Sequence, residues 1–287
     1  MKFGICTYCT SIQEIAQALS PSLLEYVKYV EVGVKTFLVP EQPQEAFDAQ
    51  VREARLLPVP VEAANGLFPN NLKLIATPTQ PIDQARIEHY VRTTLRRAEQ
   101  AGIKIIVFGS GAARRCPADY DKTAALQQIA EHLERWSRWA REHGITIVLE
   151  PLSVQESNML NTVAESGALV ARISNSGARL LADTYHIGCN GEDPQTMIPH
   201  GSLLAHIHVA EVQGRRAPGS SGEDMRPTFS VLHHVGYNQR ISIECCWQHL
   251  ATQLPLAVTT LREQWEEARR QWVLEDVGGK TTRKEAR

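Results

Sequence analysis

Four polar residues each close an apolar run in the second half of the chain: Glu150 in ITIVLE, Asp183 in ARLLAD, His208 in LLAHIH and Glu244 in RISIE. Their spacings are 33, 25 and 36 residues, each about the length of one strand, one helix and their loops. Three carboxylates and one imidazole form a hard, oxygen-rich donor set that suits an octahedral divalent ion, Mn²⁺ first, with Mg²⁺ or Co²⁺ as substitutes. Zinc usually recruits more nitrogen or sulfur. Left uncompensated, three neighbouring acids repel one another and their pKa values rise, a cost that a divalent cation removes. His206, two residues before His208, shares its strand face, and periodicity alone leaves the choice between them open. A metal that chelates a carbonyl oxygen and the neighbouring hydroxyl acidifies the C–H between them and stabilises the enediolate. Glu150 and Glu244 sit on non-adjacent strands, so their free oxygens flank the substrate carbon, one abstracting the proton and the other returning it. Inversion at one carbon then needs no redox cofactor.

These residues need a frame that carries strand ends to one rim. Eight strand-like runs recur: KFGICTY from Lys2, YVEVG from Tyr29, VPVEAAN from Val59, IKIIVFG from Ile103, ITIVLEP from Ile145, ARLLADT from Ala178, LLAHIHVAE from Leu203 and RISIECCW from Arg240. Helical segments separate them, punctuated by Pro81 and Gly102 around one and by Gly144 after another. Eight β/α units in about 250 residues match a single-domain (β/α)₈ TIM barrel, whose active site lies at the C-terminal strand ends. An open doubly wound sheet is disfavoured, because no GxGxxG follows the first strand. The expected domain spans residues 1–270, and the polar stretch 271–287 reads as a mobile tail.

Composition narrows the function classes. The 287 residues are 43% hydrophobic and 22% charged, with a formal net charge of −2, so no global positive field attracts nucleic acid or anionic lipid. No signal-like or membrane-length apolar run is present, and a cytoplasmic location is expected. Six cysteines are too few for a disulfide scaffold. Cys6 and Cys9 form a CxxC, but on a strand their side chains point to opposite faces. Cys245 and Cys246 read as small hydrophobes beside a pocket.

The chain resembles the sugar isomerases and epimerases of the xylose-isomerase-like barrel superfamily, close in pattern to the tagatose/psicose 3-epimerases and the hydroxypyruvate isomerases. LEPLSVQESNMLNT, LADTYHIG, HIHVAEVQGRRAPG and SIECCW carry the resemblance, which covers roughly residues 1–265. It implies Glu150, Asp183, His208 and Glu244 as metal ligands, His208 being favoured over His206. It also implies Glu156, His186 and Arg215 as substrate contacts, a small sugar as substrate, and association with further copies as an open possibility. IVFGSGAARR and AANGLFP are similar to less specific family sequences. Arg215 follows His208 by seven residues, as in the hydroxypyruvate isomerase pattern, where the epimerase subgroup has six. The stretch PGSSGEDMRP departs from the family's PGxG followed by an aromatic.

Other polar groups have plainer readings. Arg114 and Arg115 are a solvated loop pair, with a phosphate contact as the alternative. The Gly109–Gly111 turn lacks the Lys and Ser/Thr of a nucleotide loop. Trp136 and Trp139 read as packing residues, and Phe68, Phe108, Tyr185 and Trp247 are candidate pocket walls. The leading expectation is a metal-dependent sugar epimerase or isomerase. A metal-dependent lyase, dehydratase or C-glycoside-cleaving relative is the alternative, and a non-catalytic sugar binder is disfavoured by the two carboxylate bases. A three-zinc endonuclease would need histidines at earlier strand ends, which VPVEAAN and IIVFGS lack.

Overall fold

The computed structural model describes residues 1–285. Eight parallel strands pair in chain order and close on themselves: β1 (Lys2–Cys6), β2 (Val27–Gly33), β3 (Val61–Asn65), β4 (Ile105–Phe108), β5 (Thr146–Leu149), β6 (Arg179–Asp183), β7 (Leu204–Val209) and β8 (Arg240–Ile243). Closure is made by β1, which pairs with β2 on one side and with β8 on the other, Ile5 standing opposite Ile243. The expected TIM barrel and all eight of its strands are present.

The outer layer is α1 (Ile12–Ala18), α2 (Gln44–Ala54), α3 (Gln84–Ala101), α4 (Lys122–Glu142), α5 (Val163–Arg172), α6 (Thr184–Asn190), α7 (Arg226–His234) and α8 (Leu250–Glu285). Their ends are written in the sequence. Ser11 with Glu14 and Thr162 with Glu165 form reciprocal capping boxes, Asp83 and Asp121 cap α3 and α4, and Gly102 ends α3 at φ 81°. Alternation sends Val30, Val32, Ile106, Phe108, Ile147 and Leu149 outward into the core beneath the helices. Trp136 of α4 lies there, its ring centroid 4.9 Å from Phe68 and 5.7 Å from Phe108.

The opposite faces of the strands fill the barrel. Ala63, Ile105, Val107, Val148 and Leu181 form an inner apolar cluster with the Tyr29 ring. Below it, at the N-terminal end, Glu62 accepts from Lys2 at 2.9 Å and from Arg240 at 2.7 Å. Helix α8 runs through residue 270 and into the stretch expected as a tail, whose last two residues, 286 and 287, lie outside the described residues. The division of the chain at that point stays a proposal. No helix among the described residues is long and apolar enough to cross a membrane.

Candidate active site

Strand register brings the four rim residues together. Glu150 directly follows β5, and its N–H donates to the Phe108 carbonyl at 3.2 Å. Asp183 ends β6, and its Oδ1 accepts from Tyr185 N at 2.9 Å, capping α6 and leaving Oδ2 to the site. Glu244 directly follows β8, tied to the Val209 carbonyl at 3.1 Å. One ligand atom from each of these carboxylates and one from His208 lie within 4.8 Å of one another, and all four residues are buried. The imidazole nitrogen involved is Nδ1, 3.2 Å from Glu150 Oε1 and 3.1 Å from Glu244 Oε2. His206 turns away from this cluster, with Nε2 2.8 Å from Glu31 Oε2. Glu31, Asn65 and Cys6 also reach the region without having been singled out as site residues. Asn65 donates to Glu244 Oε1, and Glu31 meets His208 Nε2 at 2.9 Å.

The electrostatics are those of a crowded acidic site that also holds an arginine and a histidine. Burial pulls the His208 imidazole down, but Glu244 and Glu31 outweigh it and hold its pKa well above the ordinary value. Glu244 is pushed up by burial and down by His208 and Arg215, ending at about 2. Asp183 is raised by burial more than Arg215 and His208 lower it. Burial also acts on Glu31, yet His208 and His206 bring its carboxyl below the usual range.

Above the cluster is a cavity of about 420 Å³, lined by Glu150, Glu156, His186, Arg215, Glu244 and Phe68 among others. The Ser153 N–H donates to His186 Nδ1 at 3.0 Å, so Nε2 carries the ring proton. That Nε2 is buried without a partner, 3.7 Å from Asp183 Oδ2, a donor in want of an acceptor. Burial lowers the His186 pKa, which keeps the ring neutral. The Arg215 guanidinium reaches Glu244, Asp183 Oδ2 at 3.2 Å and Glu156 Oε1 at 3.6 Å. It lies between the Tyr8 and Tyr185 rings, 4.7 and 4.6 Å from their centroids. The loop reaches it through two left-handed residues, Gly214 at φ 70° and Arg215 itself at φ 49°.

The loop carrying Arg215 is tied at several points. Buried Glu211 accepts from the backbone of Gly219 at 2.8 Å, Ser221 at 2.7 Å and Gly222 at 3.2 Å, so the altered PGSSGEDMRP stretch folds around a carboxylate. The Arg215 carbonyl accepts from Cys246 N at 2.7 Å. Glycines clear space on the other wall: a Cβ on Gly109 would stand 2.2 Å from Glu150 Oε2.

Both readings of Arg114 are corrected. It is fully buried, donating to the Phe108 and Leu160 carbonyls at 3.2 and 3.4 Å, which takes it out of solvent and out of the cavity lining. Burial depresses its pKa to about 10. Arg115 donates to the Glu156 carbonyl at 2.9 Å and supports that loop from outside. Of the candidate walls, Phe68 lines the cavity and Tyr185 stacks on Arg215, whereas Phe108 is in the outer core and Trp247 lines a neighbouring depression. Cys6 is buried and Cys9 faces out to Cys246, Sγ to Sγ 2.7 Å, so the CxxC residues do not pair with each other.

The profile of the xylose isomerase-like TIM barrel family matches residues 27–275, and the chain belongs to that family. It is 24% identical over 184 residues to a D-psicose 3-epimerase of Agrobacterium fabrum, covering 62% of each chain. It is 29% identical over 135 residues to a putative hydroxypyruvate isomerase of Streptomyces coelicolor, covering 45% of this chain and 47% of the other. The matched stretch thus spans less than two thirds of these relatives' length. The crystal structure of a D-psicose 3-epimerase in the presence of D-fructose superposes with a TM-score of 0.70 at 18% identity, over 96% of this chain and 98% of the other, a likeness of fold.

Proposed function

We propose that this chain is a divalent-metal-dependent sugar epimerase or isomerase acting on a ketose or a smaller hydroxy-carbonyl compound. The observation that carries this reading is the convergence of Glu150, Asp183, His208 Nδ1 and Glu244 at the barrel mouth. Three carboxylates and one imidazole fit a hard divalent ion, Mn²⁺ with Mg²⁺ or Co²⁺ as substitutes. When bound, the ion supplies Lewis acidity to a carbonyl oxygen and its neighbouring hydroxyl, which makes the C–H between them acidic.

The chain's own residues do the rest. Glu150 and Glu244 stand three strands apart on the rim and offer carboxylate oxygens to a substrate held between them. In an epimerase one takes the proton and the other returns it from the opposite face. His186 donates from Nε2 and Arg215 from its guanidinium to substrate oxygens, while Glu156 accepts from a hydroxyl. A cavity of about 420 Å³ has room for a hexose. The names of the relatives, a ketose epimerase and a hydroxypyruvate isomerase, support the same substrate class.

The test is proton NMR of the Mn²⁺-loaded protein in D₂O against a panel of ketoses. Deuterium entering one carbon with formation of the epimer or the aldose is expected, and activity should vanish in EDTA and return with Mn²⁺ or Co²⁺. Glu150→Gln and Glu244→Gln, with metal occupancy verified, should each abolish net epimerisation, a loss of about 10²- to 10⁴-fold. Full turnover in the stripped protein would overturn the metal reading. A product lacking a β-substituent would make the enzyme a lyase instead.

A further inference from the structure

We propose that Glu31 is a positioning residue for the candidate metal centre, holding His208 in the tautomer and orientation that aim Nδ1 at the three carboxylates. The proposal rests on the metal reading above and concerns a residue that touches neither cavity nor substrate. Glu31 lies in the middle of β2, fully buried inside the barrel. Its Oε1 is 2.9 Å from His208 Nε2, and its Oε2 is 2.8 Å from His206 Nε2. Ser242 Oγ donates to the same Oε2 and is itself 2.7 Å from Tyr29 Oη.

Hydrogen-bond bookkeeping fixes every direction. An ionised carboxylate only accepts, so both histidines must present N–H at Nε2. Ser242 gives its one proton to Glu31, and Tyr29 then donates to Ser242. When the centre holds an ion, His208 is neutral, and the Nε2–H that Glu31 fixes leaves its lone pair on Nδ1, the nitrogen that faces Glu150 and Glu244. A carboxylate behind a ligating imidazole also raises its basicity, and removal of such a partner typically costs 10- to 100-fold, roughly, in metal affinity. Glycine makes room for the arrangement: a Cβ on Gly4 would lie 2.3 Å from the Tyr29 ring. One rival use of the same atoms exists, because Glu31, His206 and His208 themselves lie close enough to hold a second ion.

The decisive experiment is Mn²⁺ titration of the stripped full-length protein by calorimetry, with the Co²⁺ absorption spectrum and thermal unfolding of each stripped form. Wild type should bind one ion. Glu31→Gln keeps the shape but opposes an N–H with an amide. It should bind Mn²⁺ about 10- to 100-fold more weakly and shift the Co²⁺ bands. Ser242→Ala, a milder change, should weaken binding severalfold in the same direction. A folded Glu31→Gln protein with affinity within about twofold of wild type would overturn the proposal and leave the metal reading intact. If Glu31→Gln does not fold, unchanged affinity in Ser242→Ala overturns it. Two ions per chain, one lost with Glu31, would make Glu31 a ligand and refute the positioning role. A wild type that binds no ion defeats the metal reading first, and the proposal with it.

Discussion

Two sides of one barrel interior are built on the same strand alternation and filled in opposite ways. On the β3–β6 side the inward positions are Ala63, Ile105, Val107, Val148 and Leu181, apolar side chains that pack with one another and with Tyr29 and Ala205. On the β7, β8 and β2 side, Glu31, His206, His208 and Ser242 face inward and are fully buried. The apolar side is stabilised by burial alone and tolerates substitution by volume. The polar side must satisfy each donor and acceptor, so it specifies orientation. The difference assigns stiffness to one wall and aim to the other.

That division can be broken from either side. Leu181→Ala should have the largest effect, about 2–5 kcal/mol of stability lost to a cavity, with Mn²⁺ affinity of the folded protein unchanged. Denaturant unfolding and calorimetry measure the two halves of that statement. Gly4→Ala, which forces a methyl into the Tyr29 ring on the polar side, should cost about 1–3 kcal/mol and weaken Mn²⁺ binding as well. Gly109→Ala displaces Glu150 directly, and roughly a tenfold loss of Mn²⁺ affinity, about 1.4 kcal/mol, is expected in calorimetry.

The smallest effect belongs to the lower rim, where Glu62 meets Lys2 and Arg240. Burial raises the Glu62 pKa, but the hydrogen bonds from Lys2 and Arg240 lower it by more. A folded-state value below the unfolded one of about 4.3 means stability that is present above that pH and lost as the pH falls through the folded value. The Glu62 side chain is mostly covered, at 14% exposed, but its partner Lys2 is about half exposed, so solvent screens that pair and Glu62→Gln should cost about 1 kcal/mol, less at high salt, and should flatten the acid limb of a stability–pH curve.

Legibility in the sequence follows the same division. The barrel is readable because buried parallel strands are apolar runs at regular intervals, and the four rim residues are readable because each interrupts such a run at its end. Glu31 is not readable from YVEVG, where a lone acid between valines looks like the exposed face of a half-buried strand. Only closure of the sheet buries both faces. The choice between His206 and His208 depends on ring direction: both rings meet Glu31 of β2 through Nε2, and His208 turns its Nδ1 to Glu150 and Glu244. Arg114 looks solvated because its acceptors are backbone carbonyls, one of them at Leu160, far along the chain.

The loop after β7 carries a thermodynamic consequence. Glu211 fastens the glycine-rich stretch, the Arg215 carbonyl is tied to Cys246 N, and two tyrosine rings confine the guanidinium. A flexible arginine ordered only on binding would set about 0.5–1.5 kcal/mol of side-chain entropy against affinity. Here that entropy is surrendered when the chain folds, so in the proposed reaction the substrate would meet a donor already at rest.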